Sequence, residues 1–119
     1  MFIGSYHSIS VTGRIIKELE LYNTENGVPI VKLSVPTNNV FKDTLGNSIT
    51  ETTWFTVILK GNAASAAHKT LKRGDHIQVI GRLVPEVKIR EMHNGRVVGS
   101  YEVIADEVIF LQGGFKNDG

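Results

Sequence analysis

The chain has 119 residues, of which 41% are hydrophobic and 21% are charged, so it can form a single domain with a substantial core. Its net charge of +1 is too small to indicate a nucleic-acid partner by itself. The chain contains no cysteine, which excludes disulfides, thiolate catalysis and cysteine-based metal sites, and no apolar run is long enough to span a membrane.

The first predicted strand carries Ile9 and Val11, which alternate with polar residues. Gly13 interrupts this alternation and predicts a bulge or a sharp bend. Residues 15–21 also fit a helical period. We interpret them as a curved continuation of the same strand, because the sequence NTENG at 23–27 is a hairpin signal.

The second strand is predicted over residues 28–35 and leads into a long connection over residues 36–53. Proline, asparagine, aspartate and glycine are spread through this connection, and these residue types form turns. Phe41 and Lys42 are its only adjacent aromatic and basic residues.

A strand, a helix and another strand follow. Residues 54–60 have the β-branched and aromatic composition of a strand. Asn62 is the predicted N-cap of a helix over residues 63–72, which Gly74 terminates. Residues 75–82 return as the fourth strand, with apolar and polar residues alternating.

The remainder of the chain is rich in β-formers. Residues 93–95 (HNG) predict a hairpin, and the last strand is predicted over residues 101–111, with a bulge at 105–106. We assign residues 1–112 to one domain and residues 113–119 to a flexible tail.

The predicted order is therefore β–β–β–α–β–β. Long curved strands with glycine at the bends favour closure into a small barrel. The prediction is an all-β protein with small α content: an OB-fold, in which five strands form a Greek-key barrel with one helix between strands 3 and 4. A doubly wound α/β fold would need more helices.

The sequence offers no catalytic constellation. The four histidines lack metal-ligand spacing, and neither a nucleophile elbow nor a glycine-rich phosphate loop is present. We therefore expect no enzymatic activity, no cofactor and no metal site.

Four segments in order carry a resemblance to the single-stranded DNA-binding proteins of the bacterial and organellar type. They are VTGRI at 11–15, TTWFTVILKGNAASAA at 52–67, LKRGDHIQVIGRL at 71–83 and LQGG at 111–114. Each segment alone is a weak signal, but together they are fairly specific and span nearly the whole chain.

The resemblance implies an OB barrel that binds single strands without reading sequence. Such proteins combine a basic groove with aromatic rings on which bases stack, at about 1–3 kcal/mol per base. Trp54 matches a position that the family uses for stacking; its alternative role is to pack the barrel or an interface. Phe41 lies about one residue out of register with another stacking position, and its alternative role is to anchor a loop.

The basic residues are scattered, and for any one of them the alternative is a solvated surface charge. Arg14 and Arg82 match family positions, Lys60 flanks a glycine at a strand bend, and Lys88 and Arg90 share a strand face. The candidate single-stranded DNA-binding residues are Trp54, Phe41, Arg14, Lys42, Lys60, Arg82, Lys88 and Arg90.

An oligomer is also expected. Small barrels with free strand edges pair readily, and members of the family are commonly homotetramers. We predict a dimer or tetramer, with Tyr6, Ile9 and Val11 of the first strand and an exposed Phe55 as interface candidates.

The leading hypothesis is non-sequence-specific binding of single-stranded DNA, which coats and protects exposed strands in replication, recombination and repair. Replication or repair proteins are further expected partners, and a membrane is not. The alternatives are a subunit that acts mainly through protein interaction, as in a primosome, and an RNA-binding module. Val87, Lys88 and Ile89 favour the former, because the family usually carries an aromatic residue there. We expect a cytoplasmic, nucleoid-associated protein, or an organellar one if a transit peptide has been removed.

Overall fold

The computed structural model describes residues 5–91 and 97–114, and the side chains of residues 5–85 and 100–114. This part of the chain forms β1 (Ile9–Arg14), β2 (Glu20–Asn23), β3 (Pro29–Lys42), β4 (Ser48–Lys60), α1 (Asn62–Thr70), β5 (His76–Glu91) and β6 (Val97–Gln112). The strands make one sheet in the order β1-β5-β6-β4-β3-β2, in which only the β4–β6 pair is parallel.

The two end strands of this sheet, β1 and β2, follow each other directly in the amino-terminal part of the chain. The backbone N–H of Ile15 donates to the carbonyl oxygen of Asp75 at 3.0 Å, and that of Ile16 donates to the carbonyl oxygen of Ser34 at 3.1 Å. Successive residues thus bond towards opposite ends of the sheet, which curls it into a barrel that is left open at the edge of β1 in the described part of the chain. The curved first strand predicted from the sequence is in fact two strands, β1 and β2, so six strands replace the five predicted.

Gly13 lies where β1 crosses β3. A Cβ atom at this position would lie 2.8 Å from Cγ1 of Val35 and 2.9 Å from the carbonyl oxygen of Pro36. Gly13 pairs regularly with Ile77 of β5, so the predicted bulge is absent here. The glycine instead permits a close approach of two strands.

The core fills the barrel from both the strands and the helix. Its fully buried side chains come mainly from alternate positions along the strands, because side chains of a strand point to opposite faces in turn. The buried apolar residues are Val11, Ile15, Val31, Leu33, Val35, Val57, Leu59, Ala64, Ala67, Ile77, Val79 and Val103.

The predicted loop at residues 36–53 is instead a β-hairpin. β3 continues to Lys42, and β4 begins at Ser48. Polar residues are common both in turns and in strands that are exposed on both faces. The hairpin is exposed along much of its length, so its sequence lacks the apolar alternation that predicts a strand. The hydroxyl of Thr52 donates to the side-chain oxygen of Asn38 across the two strands at 2.7 Å.

The turn of the hairpin is organised by Asp43. One oxygen of its carboxylate accepts the backbone N–H groups of Leu45 and Asn47, both at 2.9 Å. Gly46 adopts a φ of +84°, which suits glycine. The turn residues predicted here are thus placed correctly, although the strands on either side were missed.

Helix α1 spans Asn62–Thr70 and is shorter than predicted. Asn62 is its first residue and not its cap; Gly61 precedes it with a φ of +70°, and no side chain caps the helix. The helix ends at Thr70. The turn that follows is stabilised by Asp75, whose carboxylate accepts the backbone N–H of Lys72 at 2.9 Å. No helix in the described ranges has the length and apolar character needed to cross a membrane.

The predicted bulge in the last strand is confirmed. Ile80 pairs with Glu107 and Gly81 pairs with Ala105, so the residue between them in β6 has no partner. A Cβ atom at Gly81 would collide with the carbonyl oxygen of Ile104, which explains the glycine opposite the bulge.

β6 is longer than predicted because its pairing with β5 reaches Glu91 and Val97. The predicted hairpin at residues 93–95 lies outside the described residues, as do residues 115–119 of the predicted tail.

Candidate nucleic-acid interface

Trp54 lies on the outside of the barrel wall. Odd-numbered side chains such as Val35 and Val57 point into the core, so the even-numbered side chains of β3 and β4 point outward. Directly paired residues share a face, which extends the surface to β2. We call the even-numbered residues of β2, β3 and β4 the outer face. Trp54 stands on it opposite Pro36 and Ser100 and is 38% exposed.

Three exposed lysines share the outer face with Trp54. Lys42 lies at the hairpin tip opposite Ser48, Lys32 lies opposite Ile58, and Lys60 lies at the far end of β4. The face extends about 40 Å along β3 at the usual rise of a strand. The even-numbered positions of β3 and β4 contain no aspartate or glutamate. β2 adds one carboxylate to the face, that of Glu20, which pairs with Lys32. The surface around Trp54 on β3 and β4 therefore presents an aromatic ring among cations and attracts phosphates.

Phe41 does not lie on the same face as Trp54. It is 39% exposed and pairs with Ile49, and both residues occupy odd-numbered positions of the hairpin. A shift of one residue turns a side chain to the opposite face of a strand. The outer face carries Val40 instead, which is 64% exposed.

Arg82 lies on the barrel wall across from Lys32. It pairs with Ile104 of β6, which in turn pairs with Ile58 of the outer face. Its guanidinium lies 3.4 Å from the carboxylate of Asp106, and both side chains are about half exposed. An exposed pair of this kind is weak, so the arginine can exchange this partner for a phosphate.

The backbone of β5 places Lys88 near Trp54. Lys88 pairs with Ser100, and Ser100 pairs with Trp54, so two strand spacings of together about 10 Å separate them. Arg90 pairs with Val98 further along the same strand. The side chains of Lys88 and Arg90 lie outside the described residues.

Arg14 is held apart from the lysines. Its guanidinium donates to the carbonyl oxygen of Gly74 at 2.8 Å. It borders an open groove of approximately 1230 Å³ that also contains Lys69, Lys72 and Phe110, and a concavity of approximately 400 Å³ beside residues 36–38. Arg14 therefore lies beside the base of the hairpin and already has a partner.

The structure corrects one of the interface candidates, Val11, and shows how the others are placed. Val11 is 2% exposed and belongs to the core of its own chain, because alternation along β1 turns it inward. Phe55 is half-buried, and its ring centroid lies 5.9 Å from that of Tyr101. Ile9 is also half-buried against the core, whereas Tyr6 is 75% exposed. In the described part of the chain, β1 pairs only with β5, so its other edge remains without a strand partner.

Sequence reasoning missed two members of the outer face, Tyr22 and Lys32. Tyr22 is 42% exposed on β2, and the amino group of Lys32 lies 5.7 Å from the centroid of its ring. Both residues have even numbers, like Trp54, but they can be assigned to the same face only once the pairing of β2 with β3 is known. Among the described residues, no three histidine, aspartate or glutamate side chains are placed to hold a metal ion.

Comparisons with known proteins identify the family. The model of the single-strand binding protein family matches residues 6–111. A single-stranded DNA-binding protein of Wolinella succinogenes is 28% identical over 119 residues, covering 95% of this chain and 72% of that protein. Single-stranded DNA-binding protein 1 of Staphylococcus aureus is 30% identical over 108 residues, covering 91% of this chain and 67% of its own length.

A solved structure shows the same fold. The Plasmodium falciparum SSB in complex with single-stranded DNA has a TM-score of 0.72 at 21% identity, covering 94% of this chain and 100% of that one. This likeness confirms the predicted OB-fold barrel.

Proposed function

Because this chain belongs to the single-strand binding protein family, we propose that it binds single-stranded DNA through the outer face without reading sequence. One observation carries the proposal: Trp54 is exposed on a wall to which β3 and β4 contribute three lysines and no carboxylate. The lysines attract phosphates, and the indole offers a flat surface to a base.

The chemistry of this face explains the preference for a single strand. A base can stack on Trp54 only when it is not stacked within a duplex, and every base has a suitable π-face. The other polar groups of the face near Trp54 are mainly threonine hydroxyls and the amide of Asn38. The oxygen of this amide already accepts a hydrogen bond from the hydroxyl of Thr52. The proposal therefore rests on stacking and charge.

In the cell, such a protein coats exposed strands and protects them during replication, recombination and repair. We propose that it acts as a homo-oligomer, because the free edge of β1 invites pairing with another copy. Outer faces on several copies would bind one long strand with increased avidity. Replication and repair proteins are the further partners of this proposal, which includes no catalytic step.

The test uses Trp54, the single tryptophan, as a reporter. Its fluorescence is followed while an oligothymidylate is added at low salt and again at high salt. We expect strong quenching and an affinity that falls as salt rises, because the counterions that binding releases from the phosphates contribute less favourable entropy when the surrounding salt is concentrated. Duplex DNA of equal length is the control for the preference for a single strand, and an oligouridylate of equal length is the control for the preference for DNA over RNA.

Three other outcomes would contradict the proposal in different ways. Binding without quenching would place the strand away from Trp54. Equal or tighter binding of the oligouridylate would favour an RNA-binding module. The absence of binding even at low salt would favour a role in protein interaction.

A further inference from the structure

Tyr22 is a second exposed aromatic residue on the outer face. It lies on β2 and pairs with Ile30, which in turn pairs with Lys60. The ring is 42% exposed, similar to the 38% of Trp54. Two of the three lysines of this face, Lys32 and Lys60, therefore lie around Tyr22.

Neighbouring side chains hold the ring of Tyr22 in place. Its hydroxyl donates a hydrogen bond to the carboxylate of Glu20, two residues away on the same strand. The amino group of Lys32 lies 5.7 Å from the ring centroid, within the range of a cation–π contact. A ring that is fixed before binding loses less conformational freedom when a base stacks on it.

The spacing of the two rings suits one bound strand. Their positions are separated by six residues along β3, from Ile30 to Pro36, or about 20 Å. They are two strands apart, or about 10 Å across the sheet. Single OB-folds bind about 4–16 nucleotides, so both rings fall within one such site. Lys32 lies between them, opposite Glu20, and its exposed amino group can contact a phosphate by leaving the ring of Tyr22.

We propose that Tyr22 is a second base-stacking platform, at which Lys32 and Lys60 bind the adjoining phosphates. The strand then runs along the outer face from the hairpin tip at Lys42, past Trp54, to Tyr22. This inference rests on the proposed function and adds a binding residue and a path for the strand across the sheet.

The test compares Tyr22→Leu with Tyr22→Phe. The leucine removes the π-face, and the phenylalanine keeps it while removing the hydroxyl. We expect Tyr22→Leu to weaken oligothymidylate binding about tenfold and Tyr22→Phe to bind within about twofold of the parent. Quenching of Trp54 at saturation should persist in both variants. Phe110→Leu is the matched control, because Phe110 is 55% exposed and borders the separate groove.

A photocrosslink supplies the direct measurement. An oligonucleotide that contains iododeoxyuridine is bound to the parent protein, irradiated and mapped by mass spectrometry. We expect crosslinked peptides that contain Tyr22 and Trp54. Crosslinks at Trp54 alone, together with parental affinity of Tyr22→Leu, would overturn this inference and leave the proposed function intact. Failure of the parent protein to bind any strand would overturn both.

Discussion

The carboxylate of Asp75 accepts a hydrogen bond of 3.0 Å from the backbone N–H of Gly114, 39 residues further along the chain. Its second oxygen accepts the N–H of Lys72 at 2.9 Å, and Asp75 is only 5% exposed. Gly114 also packs on the backbone of Gly74, where a Cβ atom would lie 2.8 Å from the carbonyl carbon. The chain that leaves β6 is thus bound at Gly114 to the turn before β5, although the sequence assigns Gly114 to a flexible tail.

Asp75→Ala should destabilise the barrel by about 1.5–3 kcal/mol, because it removes the charged acceptor of two backbone N–H groups. Urea unfolding followed by circular dichroism measures the change. Asp106→Ala is the control: its carboxylate is exposed, so the loss should stay below about 1 kcal/mol. Equal losses in the two variants would show that the Asp75 bonds contribute nothing beyond an ordinary surface pair.

Gly81→Ala should destabilise the protein by about 1–3 kcal/mol, because the new methyl group meets the backbone carbonyl of Ile104 opposite the bulge. Thermal unfolding compares it with Gly113→Ala, whose Cβ would meet only the ring of Phe110 at 3.9 Å. The control should shift stability by less than about 0.5 kcal/mol. Parental stability of Gly81→Ala would mean that the bulge shifts freely.

The sequence predicts the topology well because the core-facing alternation and the helix signals are local. It fails in the hairpin of β3 and β4, where both faces are largely exposed and no apolar alternation remains. The pairing register of these strands also decides which side chains belong to the candidate site. The resemblance marks Trp54 as a stacking candidate. The face of Phe41, however, depends on pairing across the turn that Asp43 organises, and the face of Tyr22 depends on the separate pairing of β2 with β3. Asn62 was a good cap by type, yet Gly61 alone permits the backbone turn there.

Val40→Phe should strengthen binding of oligothymidylate by up to about tenfold, because it adds a ring to the outer face, four residues along the hairpin from the Pro36–Trp54 pair. Phe41→Ala should change the affinity less than Trp54→Ala, because Phe41 lies on the opposite face of the hairpin. Fluorescence anisotropy of a labelled oligonucleotide measures all three variants. A larger loss from Phe41→Ala than from Trp54→Ala would place the strand on that opposite face.

Glu20→Gln should lower the pKa of Tyr22. In the parent protein, the hydrogen bond to Glu20 raises this pKa above the ordinary 10.0, and desolvation and the charge of Glu20 act in the same direction. The glutamine removes the charge and weakens the bond, so phenolate forms at lower pH. The phenolate absorbance, taken as the difference from Tyr22→Phe, measures the shift. An unchanged titration would show that the two side chains do not interact in solution.

Lys32→Gln, Lys42→Gln and Lys60→Gln should each reduce the salt dependence of binding. Each lysine that contacts a phosphate contributes about 0.7 to the slope of log K against log salt concentration for a single strand. Lys69→Gln is the control, because Lys69 is exposed on α1 and borders the separate groove. Titrations at several salt concentrations that together span about a tenfold range resolve such a difference in slope. A reduced slope in all three variants would trace the phosphates along the outer face. Parental slopes would instead direct the strand over β5, where Lys88 and Arg90 supply the cations.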